Sequence, residues 1–328
     1  MRVFLGYESA WEIHMRCRKR IGDRLRPSEA HPLQGEAPME KMIERLIEMG
    51  CRPPIRLVVS NPGDRRTNDQ VCCHTDSAVF PRGSFMKLGN GVYCASPELA
   101  FVQLAAVLDV VGTVLAGQSL CGTFCYRETE AGELLESRSA PITSIARIGR
   151  YVDKCAGKKG VKNARRALRY MVDGIASPME GYVAAKLSLS SLLGGYGLPS
   201  PQMNSVVSVS DGVGARAGAT YRVCDLFWPA HKVAVEYDSD TFHTGASRIA
   251  RDSARRSELL HAGVAVVTIT TAQFFDYAAF DAQVRVLEKL LGHRRQTRVA
   301  HIEARRRDLH RRLVAYAQGS PAQNPYRF

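Results

Sequence analysis

The chain has 328 residues, 45% hydrophobic and 23% charged. That is material for about two cores at ~150 residues per domain, and it excludes wholesale disorder. Its 45 Lys and Arg against 32 Asp and Glu leave a formal charge of +13, a surplus that makes nucleic acid the leading partner class, with plain solubility of an Arg-rich chain as the alternative.

Residues 1–50 predict two helices, a basic one from Ser9 to Arg26 and one from Met39 to Met49, separated by a break rich in Pro and Gly. Short strands follow at Ile55–Ser60, Val71–His74, Ser84–Leu88 and Val92–Ala95, punctuated by Asn61-Pro62-Gly63-Asp64 and Gly89-Asn90-Gly91. Ser96-Pro97-Glu98 opens a helix: Ser accepts a free backbone N–H, Pro fits the first turn, and Glu suits the positive end of the dipole. The apolar stretch Leu99 to Leu115 is interrupted by Gln103 and Asp109; it is too short and too polar for a bilayer and reads as a buried helix. Helices at Ile142–Cys155 and Val161–Val172 carry seven basic residues between Lys154 and Arg169 and no acidic one.

The second half changes character. A helix runs from Ser177 to about Leu193, strands follow at Ser205–Val209, Tyr221–Phe227 and Lys232–Tyr237, then a polar helix at 246–262 and an apolar strand at Val264–Ile269. A helix from Ala272 to Leu291 closes the unit, and the tail beyond Gly292 is dense in Arg. The expected division is a mixed helical and short-strand domain at 1–175, an α/β domain at 176–292 and a helical tail at 293–328. The nine cysteines form no Cys-x-x-Cys pair; they read as reduced packing thiols, with zinc on Cys72, Cys73, His74, Cys121 and Cys125 as the minor alternative. The N-terminus shows no basic-then-apolar leader, which points to the cytoplasm and no membrane.

The chemistry concentrates between Asp225 and Asp238. Two strands joined by a tight Pro229 turn place Asp225 on the first and Glu236 near the end of the second, where antiparallel pairing brings them to one face. Asp238 follows on Glu236's side by the period-two rule. Carboxylates so gathered repel unless a cation lies among them, and Mg²⁺ suits one or two carboxylates plus a phosphate. Glu180 is either the closing member of a Ser177-x-x-Glu180 capping box or a metal group. Asp225 is alternatively a strand-end acceptor, and Asp238 alternatively shapes the Asp238-Ser239-Asp240 turn. His243 is either a loop residue or an acid–base group. Arg248, Arg251, Arg255 and Arg256 share a helical face with Asp252, as a phosphate-facing row or as intrahelical ion pairs. The tail is either a DNA contact or a helix packed through Leu309 and Leu313.

This order of elements, with Glu180, Asp225, Val-Ala-Val-Glu-Tyr-Asp at 233–238, His243, and Asp252 with Arg255 and Arg256, resembles the restriction-endonuclease-like (PD-(D/E)xK) superfamily over residues 176–292. Within it the look is of the Vsr-like nuclease domains. The resemblance implies an αβββαβ core and a metal-dependent deoxyribonuclease using Mg²⁺ or Mn²⁺, with Asp225 and Glu236 as ligands. It implies Glu180, Asp238 and His243 beside them and DNA as partner. The superfamily's usual Lys, two residues after the second acid, is Asp238 here; the Vsr type also lacks that Lys and uses a nearby His. Lys232 is the alternative cation, reaching from the same strand. Residues 52–117 and the basic helices after them look more loosely like proteins with an AbiEi-type antitoxin domain, through Arg65-Arg66, His74 and Ser96-Pro97-Glu98. That likeness implies an inactive DNA-binding regulator as the alternative function.

Overall fold

A computed structural model describes residues 2–16, 26–28, 40–77, 79–130, 132–209, 220–239, 256–298 and 300–319. The chain is a mixed α/β protein that divides into two compact units, 1–171 and 172–324. Among the described residues no helix is long and apolar enough to cross a membrane.

The first unit is built on a mixed sheet of β1 (Val3–Leu5), β2 (Arg26–Ser28), β3 (Ile55–Val59), β4 (Val71–Thr75), β5 (Phe85–Gly89) and β6 (Val92–Ala95), in the order β2-β5-β6-β1-β3-β4. β1 runs parallel to β6 and antiparallel to β3, and β3 runs parallel to β4. Helices α1 (Tyr7–Met15) and α2 (Glu40–Glu48) belong to this half. The predicted helix through Arg26 stops at Met15, because Arg16 is extended (φ −80°, ψ 140°) and bridges Tyr126. The three-residue strand before it was too short to carry a period.

The apolar stretch forms two buried helices rather than one, α3 (Pro97–Leu104) and α4 (Val110–Leu120). Asp109 breaks it: its carboxylate accepts the Gly112 N–H at 2.8 Å and starts α4 afresh. The hairpin β7 (Phe124–Thr129) and β8 (Gly132–Ser137) escaped prediction. Its second strand leaves Leu134 and Leu135 exposed among glutamates, so it lacks the alternation of a half-buried strand. α5 (Ile145–Lys154) and α6 (Val161–Leu168) bury Ile148, Tyr151, Val152, Val161, Ala164 and Ala167 and leave Lys154, Lys162, Arg165 and Arg166 in solvent. The reduced-thiol expectation fails at Cys125, which is disulfide-bonded. Cys51, Cys72, Cys73, Cys94, Cys121, Cys155 and Cys224 are not disulfide-bonded.

The second unit opens with α7 (Pro178–Ser188), followed by β9 (Gln202–Val209), β10 (Thr220–Trp228) and β11 (Val233–Asp238). Of the predicted polar helix the described residues 256–261 are helical, α8, and lead into β12 (Ala265–Thr270). Sheet order is β12-β11-β10-β9: the first three strands in sequence form an antiparallel meander, and β12 joins parallel to β11. Cys224, Leu226, Trp228, Val233 and Val235 are buried, the inward half of the period-two pattern. The predicted helix at 272–291 is two, α9 (Thr271–Phe275) and α10 (Tyr277–Leu290), because extended Asp276 caps the second by accepting the Ala279 N–H. The tail forms α11 (Ile302–Ala317), with Leu309 and Leu313 buried. Arg306 is buried too, against the picture of wholly solvated arginines, with its guanidinium over the Tyr196 ring.

Candidate functional site

β10 and β11 are joined by a 3-10 turn at Pro229–His231, and Lys232 closes it in the left-handed region at φ 52°. The pairing Trp228↔Val233, Phe227↔Ala234, Leu226↔Val235 continues by one step to set Asp225 opposite Glu236. Directly opposed residues project from the same face, so the two carboxylates are cross-strand neighbours. The backbone ladder ends there, and Asp225 Oδ2 accepts the Tyr237 N–H at 2.8 Å.

On the other side β9 adds a third member. Cys224↔Ser205 and Leu226↔Met203 bracket Asp225, and Asn204 falls opposite it. Asn204 sits at φ 47°, a conformation that Asn tolerates better than most side chains. Its amide donates to the Gly174 carbonyl at 2.9 Å and to Glu180 Oε2 at 2.7 Å. Asn204 therefore ties the leading helix to the row Asn204–Asp225–Glu236.

Glu180 is 8% exposed. Its N–H donates to Ser177 Oγ, its Oε1 accepts the Ser177 hydroxyl at 3.0 Å, and its Oε2 also accepts the Ala176 N–H at 2.9 Å. Ser177 thus caps the helix, but the Glu180 carboxylate takes the Ser177 hydroxyl and the Ala176 N–H in place of the cap N–H of a reciprocal capping box, and Asn204 adds a third contact. Burial raises the Glu180 carboxyl above its ordinary range, and the negative charge of Asp225 adds to the rise. The two acids therefore feel each other, which joins the leading helix to the sheet face electrostatically.

The other predicted groups divide. Asp238 is half-buried two residues beyond Glu236, and its carbonyl accepts from Thr271 Oγ1 at 3.4 Å. Lys232 is exposed in the turn, at the opposite end of β11 from Glu236. Four residues of strand make roughly 13 Å, farther than a lysine side chain spans. The structure therefore does not bring Lys232 to the carboxylates. Arg256 is exposed at the start of α8. His243, Arg248, Arg251 and Arg255 lie outside the described residues. Among the described residues no group of three or more His, Cys, Asp and Glu side chains is placed to hold one ion. That applies to zinc on the cysteines, and at this sheet face the described residues offer the opposed Asp225–Glu236 pair.

The chain shares part of its sequence with two proteins of Mycobacterium tuberculosis. They are the uncharacterized protein Rv2248 of strain H37Rv and the uncharacterized protein MT2308 of strain CDC 1551, each 29% identical over 113 residues. The match covers 34% of this chain and 37% of each relative, so it spans little more than a third of the curated relatives. No family model matches the chain, and no solved structure matches it significantly.

Asn204 was the residue that sequence reasoning missed. An Asn within a strand is a depleted type, and that oddity was the available signal. Asn204→Ala is expected to destabilise the second unit by about 2 kcal/mol, since a buried carboxylate loses a charge-assisted hydrogen bond. Asn204→Gly, which suits the positive φ, should cost less. Denaturant unfolding of the two variants checks the order; equal stability to the unsubstituted chain would remove the tie.

Proposed function

We propose that the chain is a Mg²⁺-dependent DNA endonuclease, with its second unit a restriction-endonuclease-like αβββαβ core of the Vsr type. The observation that carries this reading is Asp225 and Glu236 opposed across one strand pair, with buried Glu180 of the leading helix close enough for its charge to couple to Asp225. The order α7, β9, β10, β11, α8, β12 agrees with it, and the +13 charge suits a polyanionic substrate.

Two carboxylates fit the one or two that Mg²⁺ takes from a protein, and Mn²⁺ suits the same oxygen donors. Asp225 and Glu236 would hold the ion, which when bound supplies Lewis acidity and an acidified water. The chain's own groups prepare the site. The Tyr237 N–H orients Asp225, and Asn204 braces Glu180 behind it. Arg256 and the neighbouring arginines would offset charge on the phosphate.

The second reading is a DNA-binding regulator on a nuclease-derived fold. It is favoured by the Glu180 carboxylate, which is engaged by Ser177, Ala176 and Asn204, and by Asp238 in the usual Lys position. The deciding experiment incubates the full chain, freed of metal, with supercoiled plasmid and linear duplex, then adds Mg²⁺ or Mn²⁺. Metal-dependent nicking supports the endonuclease. Retarded but intact DNA under all metal conditions supports the regulator.

A further inference from the structure

A second cluster of charged groups lies in the first unit, at the edge of its sheet. β4 is the edge strand, and the loop before it folds back along it. The Cys73 N–H donates to the Arg66 carbonyl at 2.8 Å, and Thr67 bridges Cys72 in antiparallel sense. The same register sets Arg65 opposite His74, so the two are cross-strand neighbours. The His74 ring is fixed against the Tyr7 ring, with centroids 3.8 Å apart and planes 25° from parallel. Tyr7 itself is held at φ 52°, an outlying conformation for a bulky residue, and its N–H donates to Gln103 Oε1 at 2.9 Å.

Further cations come from other elements. Arg56 precedes by two residues Val58, the β3 partner of His74, and so shares its face; its Nε is 3.6 Å from Glu8. Lys158, from the loop between α5 and α6, lies 3.4 Å from Asp76, two residues beyond His74, and 3.8 Å from the Phe80 ring centroid. Lys159 follows it. Arg56 and Lys158 are thus each offset by a carboxylate. Arg65 and Lys159 are exposed, and neither has an ion pair among the described residues. Burial first, then Arg56, Arg65 and Lys159, bring the His74 imidazole down to about 4. The imidazole is therefore neutral at pH 7 and adds no charge of its own. The result is a half-buried corner in which two cations, uncompensated among the described residues, stand around a fixed, neutral ring.

We infer that this corner is a phosphate-binding site, with Arg65 and Lys159 as the direct contacts and the Tyr7–His74 stack as its wall. A guanidinium presents paired donors that match a phosphate's oxygens, and an ammonium completes the charge. The phosphate has two sources, a free phosphoryl group or the backbone of DNA, and the test separates them.

The test compares the full chain with its Arg65→Gln/Lys159→Gln variant, both confirmed as folded by thermal melts. Inorganic phosphate is titrated while the His74 ring resonances are followed at pH 7. Duplex DNA binding is measured by fluorescence anisotropy across a salt series. A phosphate-dependent His74 shift lost in the variant supports the site with a free phosphoryl ligand. A slope of log affinity against log salt that flattens by ~1.8, or ~0.9 for each of two phosphates released, supports it with the DNA backbone. Arg65→Glu/Lys159→Glu should weaken whichever response is seen further, and Lys162→Gln, an exposed neighbour, should leave it in place. If both responses are the same in the chain and its variants, or neither probe binds, the inference is overturned. Binding is read here without cleavage, so the result is independent of the nuclease reading of the second unit.

Discussion

On the proposed nuclease reading, Asp225→Asn is expected to lower Mg²⁺-dependent DNA cleavage by about three orders of magnitude, the upper range for removing one electrostatic contact from a reacting centre, and to leave the fold intact. The substitution keeps the volume and a carbonyl oxygen, so the Tyr237 N–H that now donates to Asp225 Oδ2 retains an acceptor. What is lost is one negative charge opposite Glu236. A cation held by two carboxylates loses half of its protein charge, while repulsion of the DNA phosphate is relieved. Binding should therefore be unchanged or tighter as cleavage collapses. Glu236→Gln should behave alike. Glu180→Gln should act more weakly, roughly 10–100-fold, as an outer group does, because its carboxyl is engaged by Ser177, Ala176 and Asn204. The measurement is initial cleavage rate under saturating Mg²⁺, with anisotropy for binding. Cleavage by Asp225→Asn at the unsubstituted rate would exclude it as a ligand and move the chemistry away from this strand pair.

Much of the second unit was legible because its signals are local. The Pro229 turn fixes the β10–β11 register, and alternation over residues 233–236 fixes which face each side chain takes, so Asp225 and Glu236 could be paired from sequence. Ser177 and Glu180 announced the start of α7 for the same reason. The Asn204 tie was not legible: it spans 24 residues to Glu180 and depends on a positive φ that only the folded strand imposes. Lys232 was misjudged because strand position gives the face and not the distance, and it lies at the wrong end. In the first unit the strands at 55–59, 71–75 and 92–95 carried turn residues on both sides. β7 and β8 carried polar residues instead, and their pairing is invisible to periodicity. The tail was ambiguous between a solvated cationic helix and a packed one, since Leu309 and Leu313 four residues apart fit either. Burial of Arg306 and His310 decides it and shows that two of the tail's polar groups serve docking.

Acid is expected to cost the second unit more stability than the first, and His310 is the reason. His310 is buried on α11. Its Nε2 lies 3.2 Å from the Phe275 carbonyl, which can only accept, so Nε2 carries the hydrogen and Nδ1 is left as acceptor. The Lys186 amino group of α7 lies 2.6 Å from that Nδ1 and 3.5 Å from the centroid of the Phe280 ring. Burial lowers Lys186 to about 7, with Asp281 opposing. Burial, then the Lys186 charge, lowers His310 to about 4, with Asp276 opposing and Arg307 assisting. The pair holds one proton comfortably and not two. The unfolded imidazole takes up its proton near pH 6.5, and the folded one does not until about pH 4. His310 thus favours the folded state fully above pH 6.5 and loses that contribution progressively down to about pH 4, a fall of about 3 kcal/mol. Lys186 acts in the alkaline window: the unfolded amine holds its proton up to about pH 10.5, so stability rises with pH between about 7 and there. Glu180, raised by burial, offsets part of the acid loss. In the first unit His74, lowered to about 4, has the same sign as His310, but Glu12, raised by burial to about 7, has the opposite sign over the same interval, so that unit stays nearly level. The chain has two tryptophans, Trp11 in the first unit and Trp228 in the second. Fluorescence of Trp11→Phe and Trp228→Phe therefore reports one unit each. Between pH 6.5 and 4 the Trp228 signal should lose stability by about 3 kcal/mol and the Trp11 signal by much less. His310→Ala at pH 7 should cost about 2 kcal/mol, because the buried Lys186 amino group, about half protonated there, loses its hydrogen-bond acceptor. Lys186→Met combined with His310→Leu should recover most of that and flatten the Trp228 profile through acid; a profile that keeps its slope in the double variant would show that other groups set the acid limit.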